Sequence, residues 1–474
     1  NVISLNPADL SLNYLANSEV IAFFEEAGTN LDPFYQLLWK HVFAVELIRK
    51  KYNITNEGAQ RSFLADLQQL LNRDRAKKEA IDYLNKWGDN FWNETEVRVR
   101  EILKNIEREL KASTEGGAFI FKFDIETARR LTEEQKAEVV NRGARAVTGI
   151  QVSALSRVLE LLESDIFTDE QKTYYIIVDE LDTQWAAESA KYRLIRALIE
   201  TVRAFRRVRQ VKVIIALRQD LLRRVIAATK DQGFQAEKYE SLYLNLHWSK
   251  DQILELVDRR VVHLVRQRYT SKPVSMAHLF PDKVHGTEFS RFLCDRTFLR
   301  PRDAIVLVNE CLKKAAEKRS VTVQMVSDAE GAFSEKRRLS LSEEWAGVFP
   351  AVDKYLTILA RRPASFPVSE LSHATLERWF NDYMTEQDFS TDPVFLAGRR
   401  YFVDGKGSAF EFSVTLLTAL YEVGAVGLKP GRTSCLYWAY DSDFTPAAGF
   451  IKPDSVVHTH PTFWRALGVT FRAS

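Results

Sequence analysis

The alternation of apolar and polar positions sets a strand-rich stretch between two helical ones. Residues 1–7 read as a short strand ending at Pro7, and from Leu31 apolar residues recur at spacings of three and four, the period of a helix with one buried face. That period predicts helices over 31–51, 62–92 and 96–112. Gly116 and Gly117 break it, a brief apolar and extended run follows over 118–123, and another long helix is expected over 132–163. Residues 31–165 together read as a mainly helical insertion.

The pattern then changes. Thr173-Tyr-Tyr-Ile-Ile-Val-Asp179 is an unbroken β-branched and aromatic run, as expected of a strand buried on both faces of a parallel sheet. A helix over 187–207, a second such run over 211–217, a basic helix and a third short run over 241–246 complete a strand–helix–strand–helix–strand succession. These lengths argue for an α/β fold with right-handed parallel crossovers, occupying residues 1–249 with the insertion.

Beyond Trp248 the helical period returns over 250–268, 287–295, 302–318 and 323–337, which reads as a small helical domain spanning 250–340. Short helices over 351–361 and 368–384 then lead to Arg399-Arg-Tyr-Phe-Val403, the turn Asp404-Gly405-Lys406-Gly407 and Ala409-Phe-Glu-Phe-Ser413. An Asp-Gly turn between apolar runs predicts a β-hairpin, and helices followed by a hairpin predict a winged-helix-like domain over 341–474.

Composition adds little to this partition. The chain has 474 residues, 46% hydrophobic and 27% charged, and no apolar run approaches the roughly 18 residues of a membrane span, so no membrane partner is expected. Cys294, Cys311 and Cys435 are far apart and lack metal or redox spacing, which fits a reducing, cytoplasmic setting. The opening Asn-Val-Ile-Ser-Leu reads as the interior of a domain, and a segment upstream of Asn1 is expected. The net charge of +2 conceals a basic stretch: eleven Lys or Arg lie between Lys191 and Arg224, against Glu200 and Asp220. It reads either as a solvated helix face or as a surface for nucleic acid, nucleotide phosphate or an acidic neighbour.

The chemistry concentrates where the first buried run ends, at Asp179-Glu180-Leu-Asp182. Ligands of open α/β sheets bind beyond the carboxyl ends of the strands, so Asp179 is placed to hold a Mg²⁺-bound water and Glu180 to orient and deprotonate an attacking water, with Asp182 assisting. Four hydrophobic residues followed by Asp-Glu form the Walker B pattern. The chain resembles the additional-strand P-loop ATPases, which include the AAA+, origin-recognition-like and STAND groups and related bacterial ATPases.

The resemblance implies ATP and Mg²⁺ as cofactors. Arg218, in Ala216-Leu217-Arg218-Gln-Asp220, resembles the sensor 1 position facing the γ-phosphate, and Arg300-Pro301-Arg302 resembles the sensor 2 motif of a nucleotide-contacting lid. Arg223, Arg224 and Lys238 stand roughly where a trans-acting arginine finger could sit. The phosphate loop Gly-x4-Gly-Lys-Ser/Thr is not found; Gly427-Leu-Lys-Pro-Gly431-Arg-Thr433 is one residue short, has Arg for Lys, and reads as a turn.

Implied by the same resemblance are a homo-oligomer, an effector protein partner, and a place in antiviral defence or DNA transactions. Two other functions compete. A nucleic-acid-binding module on a non-hydrolysing ATPase scaffold would use the basic helix and Arg399, Arg400 and Lys406, with DNA held by the C-terminal domain. A Mg²⁺-dependent nuclease would pair Asp179 with Lys212. His458 and His460 read as an incidental pair rather than metal ligands.

Overall fold

In a computed structural model, placement is described for residues 1–10, 19–54, 75–88, 125–146, 150–229, 236–268, 274–384, 392–431, 433–440 and 449–470, and for five single positions between 91 and 105. The extended run expected over 118–123 and nearly all of the helix expected over 96–112 lie outside these residues. The described chain is mixed α/β and forms two compact units, Asn1–Tyr243 and Leu244–Ser474. Among the described residues no helix is long and apolar enough to cross a membrane.

The first unit contains helices α1 (Glu19–Glu26), α2 (Asp32–Tyr52), α3 (Arg75–Trp87), α4 (Ile125–Arg130), α5 (Glu133–Ala146), α6 (Ile150–Leu161), α7 (Glu188–Phe205) and α8 (Gln219–Ala228). Its sheet has three parallel strands in the order β1 (Val2–Leu5), β2 (Tyr174–Val178) and β3 (Val211–Ile215). Leu5 pairs with Val178 and Val178 with Ile215, so the three strands end in step. One face presents Ile3, Leu5, Tyr174, Ile176, Val178 and Val211, all buried in the core shared with α2 and α7. The opposite face is open, with Val2 49%, Tyr175 39% and Ile214 48% exposed.

Helix α2, within the stretch expected as a mainly helical insertion, packs into the core of the sheet. It begins at Asp32-Pro33, where Pro costs no hydrogen bond, and ends at Asn53 in the left-handed region (φ 56°). Leu38, Trp39, Phe43 and Leu47 are buried in the sheet's own core. The Trp39 indole N–H donates to the Leu194 carbonyl at 2.8 Å, and the Arg196 guanidinium joins Asp32 at 3.2 Å and Glu200 at 3.1 Å. Periodicity located this helix but carried no information about its partner, which is α7.

The run over 241–246 is not a strand. A 3-10 turn covers Ala236–Leu242, and Leu244 and Leu246 are almost fully exposed without a ladder partner. Strand propensity is expressed only where a neighbouring edge accepts the backbone, and no described strand offers this run one.

The second unit runs through α9 (Lys250–Arg268), α10 (Met276–Leu279), a β4–β5 ladder (Lys283–Val284 with Thr287–Glu288), α11 (Phe289–Asp295), α12 (Pro301–Lys314) and α13 (Val323–Trp345). There follow α14 (Val352–Thr357), β6 (Ser365–Pro367), α15 (His373–Met384), α16 (Pro393–Phe402), α17 (Ala409–Glu422), β7 (Val426–Lys429), β8 (Val456–Thr459) and α18 (Trp464–Leu467). β6, β8 and β7 make an antiparallel sheet with β8 in the middle. The boundary expected at 341 falls inside α13, which is continuous from its Thr322 cap. Ser334 on α13 donates to the Thr462 carbonyl at 2.6 Å and accepts from the Ala466 N–H at 3.0 Å, so this helix also supports the chain's last turns.

The hairpin expected over 399–413 is a helix–turn–helix instead. Arg399 to Phe402 end α16, and Ala409 to Ser413 begin α17. Asp404-Gly405-Lys406-Gly407 is a helix connector in which Gly405 (φ 64°) and Gly407 (φ 94°) take left-handed conformations. Two capping signals outweigh the Asp-Gly dipeptide. Asp392 caps α16 ahead of Pro393, and Ser408 and Glu411 form a reciprocal capping box on α17.

α16 approaches α15 at Gly398, where a β-carbon would fall well inside van der Waals contact with the buried Phe380 ring. Gly398→Ala is therefore expected to lower unfolding stability by about 1–3 kcal/mol despite its better helix propensity, because overpacking outweighs the propensity gain. Urea denaturation checks this; an unchanged or raised midpoint would show that Phe380 yields freely.

Candidate functional site

Because the strands end together, the residues that follow them share one crest. The Asp179 N–H donates to the Leu5 carbonyl at 3.1 Å and the Ala216 N–H to the Val178 carbonyl at 2.8 Å, the last rungs of the two ladders. Asn6, Asp179, Glu180 and the approach to Arg218 emerge directly beyond them.

Glu180 sits in the left-handed region at φ 59°, a conformation costing roughly 1–2 kcal/mol for a residue with a β-carbon. Several bonds hold it there. Its N–H donates to the Asp179 carboxylate at 2.7 Å, and its carbonyl accepts from the Thr183 hydroxyl at 2.9 Å. Lys191, buried in the first turn of α7, donates to the Asp182 carbonyl at 3.2 Å and the Thr183 carbonyl at 2.8 Å. A cationic clamp under the loop thus keeps the carboxylates at the surface.

Asn6 completes the arrangement. Its side-chain oxygen accepts from the Ala8 N–H at 2.9 Å, which turns its amide nitrogen outward to donate to the Glu180 carboxylate at 2.5 Å. Sequence reasoning missed this residue, having read Asn6-Pro7 only as a strand end. The available signal was an amide at the carboxyl end of a strand adjoining the acidic one.

Arg218 caps the start of α8 and bridges acids from two segments. Its guanidinium lies 3.4 Å from Asp182 and 2.9 Å from Asp220, and Asp220 also receives Arg224 at 3.1 Å. Arg218 thus meets Asp182, which follows Asp179 and Glu180 in the same loop. Among the described residues no three His, Cys, Asp or Glu side chains converge to hold a metal ion alone.

Lys212 does not belong to this group. It lies opposite Tyr175, three positions back from Val178 along β2, about 10 Å below the crest. The carboxylate-and-lysine geometry of a nuclease is not assembled here. Nor is the basic stretch a continuous cationic surface: Arg193 pairs with Glu25, Arg196 with Asp32 and Glu200, Arg207 with Glu163, and Arg218 and Arg224 with Asp220.

Arg300 and Arg302 belong to the second unit. Arg300 caps α12 and donates to Glu344 at 3.0 Å, with its guanidinium 5.5 Å from the Phe298 ring centre; Arg302, two residues on, is exposed. Glu344 also takes a two-pronged contact from the buried Arg337, at 2.8 and 3.0 Å. His460 is fully buried, its Nδ1 accepting from the Thr462 N–H at 3.1 Å and its Nε2 bonded to the Tyr440 hydroxyl at 3.0 Å, so neither nitrogen is left for a metal. Burial, with Arg337 and Arg296 adding to it, keeps this imidazole well below its ordinary value.

Residues 251–342, from α9 into α13, match the FunZ-associated C-terminal helical domain. No curated protein and no solved structure matches the chain.

The contacts of Glu344 have a measurable consequence. Burial alone would raise its carboxyl, but Arg337 and Arg300 outweigh burial and bring it from 4.5 to about 2. A carboxyl depressed by folding stabilises above its unfolded value and loses that contribution as pH falls from 4.5 to about 2. Glu344→Gln should cost on the order of 3 kcal/mol at neutral pH, leaving Arg337 buried and underpaired, and should flatten the acid dependence over that interval. Urea titrations across the interval check it; an unchanged slope refutes the assignment.

Proposed function

We propose that this chain supplies the metal- and water-handling side of an ATP site and works as an ATP-hydrolysing oligomeric switch. The observation that carries the reading is the crest: a central parallel strand running out into Asp179 and Glu180, flanked on one side by Asn6 and on the other by Arg218. In this reading Asp179 would hold Mg²⁺, which would supply positive charge to the phosphates. Glu180 orients the attacking water and takes its proton. Arg218 exchanges Asp182 and Asp220 for the γ-phosphate. Asn6 restrains the Glu180 carboxylate until the water is in place.

The open face supports the same reading. Parallel sheets are ordinarily covered on both sides, yet Val2, Tyr175 and Ile214 are exposed on one side of this one, and β3 ends the described sheet. The Arg300 and Arg302 pair would serve as the nucleotide sensor of a lid. Arg300 is held by Glu344 within the second unit.

The order α14, β6, α15, α16, α17, β7, β8, with β8 between β6 and β7, supports a winged-helix-like C-terminal domain. The DNA-binding alternative has lost ground. α17, which precedes the two-stranded ribbon, carries Glu411 and Glu422 and neither Lys nor Arg.

In the full-length protein, Glu180→Gln should retain Mg²⁺-dependent ATP binding while kcat falls by about 10²–10⁴, the usual loss on removing a general base. Parallel nucleotide-binding and phosphate-release assays separate the two effects. Unaltered hydrolysis in the variant refutes the role of Glu180, and absence of ATP binding by the parent protein refutes the reading as a whole.

A further inference from the structure

The outward side of α16 carries a stripe of exposed apolar and basic side chains. Leu396, Arg399, Arg400 and Val403 follow at i, i+3, i+4 and i+7, which places them on one side of the helix and its continuing cap. Leu396 is 48% and Val403 57% exposed, and Arg399 and Arg400 form no ion pair among the described residues. Lys406 follows in the turn, its N–H bonded to the Arg400 carbonyl at 3.0 Å, and Phe410, 37% exposed, opens α17. Glu411 is already engaged in the capping box, leaving Asp404 as the one nearby acid on this segment.

The inner side of the same helix is fixed with unusual care. Asp392, fully buried, accepts from the Ala351 N–H at 3.2 Å, the Val394 N–H at 2.9 Å, the Phe395 N–H at 3.0 Å and the Tyr355 hydroxyl. Gly398 lets the helix sit against Phe380. The stripe is therefore presented by a rigid element, and binding to it costs little reorganisation.

We propose that this stripe is a docking surface for an acidic amphipathic helix of a partner protein. The chemistry selects that occupant over nucleic acid. Phosphates would be satisfied by Arg399, Arg400 and Lys406 but would gain nothing from Leu396, Val403 and Phe410. A helix with Leu or Phe on one side, flanked by Asp and Glu, covers the apolar positions and pairs the cations together. The proposal stands apart from the ATP reading, since it uses no residue of the crest.

The test uses the full-length protein and a fluorescein-labelled probe peptide of about 16 residues, roughly four helical turns, with Leu and Phe at helical spacing among Glu and Asp. A matched peptide with Ser for Leu and Phe, and a short labelled DNA duplex, serve as competitors in anisotropy titrations. The expected result is saturable binding of the apolar–acidic peptide, at least about tenfold tighter than the serine version or the duplex. Leu396→Ser with Val403→Ser, and Arg399→Glu with Arg400→Glu, should each weaken it by a similar factor. The charge-reversed variant should in turn bind a peptide carrying Lys for Asp and Glu, a gain that misfolding cannot produce. Equal affinity for both acidic peptides, preference for the duplex, no binding of either peptide, or failure of the reversed pair would overturn the proposal.

Discussion

Parallel strands cannot form their slanted ladders without fixing one another's register, and in this protein that constraint decides where every candidate catalytic group emerges. With Leu5, Val178 and Ile215 paired across the sheet, the chain leaves all three strands at one level. An acid pair, an amide and an arginine then meet, with Asn6 and Glu180 174 residues apart in sequence and Asp182 and Arg218 36 apart. A one-residue slip of β2 would turn Asp179 and Glu180 to opposite sides and bury Tyr175 in place of Ile176. The burial of Ile176 and Val178 against α2 and α7 therefore holds the site in place as firmly as the bonds within it.

Much of this was legible in the sequence because β-branched and aromatic runs mark parallel strands, although the burial on both faces that the first run suggested does not hold: Tyr175 and Ile214 are exposed on the open face. Tyr174 to Val178 and Val211 to Ile215 were both found where the β-branched runs placed them, and the abrupt change to carboxylates marked the crest. What could not be read was pairing. α2 has the same helical period as a surface insertion, and only the Trp39 and Arg196 contacts to and from α7 show that it forms a layer of the core. The basic stretch from Lys191 to Arg224 posed the same problem in electrostatic form: its partners Glu25, Asp32 and Glu163 come from distant positions, so local charge counting overstated the free cation.

The errors in the second unit have a different origin, a contest between local signals. Asp404-Gly405 is a strong hairpin dipeptide, but a hairpin turn needs strands on either side of it. Asp392-Pro393 and the Ser408…Glu411 box each satisfy helix N–H groups that a strand would not leave orphaned. Counting those capping interactions against the turn propensity favours two helices, each cap contributing about 1 kcal/mol. The boundary placed at residue 341 failed for a related reason, since nothing in the Arg337 to Trp345 segment breaks the helix.

The two units also distribute their charges in contrasting ways, and the contrast bears on function. In the second unit the buried Arg337 pairs with Glu344 and Asp303, and Arg296 is bound to Glu330 while lying 3.7 Å over the Phe292 ring. Such groups are expensive to desolvate and are retained only when their partners are fixed, so they act as structural cross-links between α11, α12 and α13. At the crest of the first unit the opposite holds. Asp179, Glu180, Asp182 and Arg218 remain at the surface, where exchanging one partner for another costs little. The proposed binding and release of a highly charged ligand would need that low cost, and a strained Glu180 backbone held by replaceable bonds would meet the same requirement.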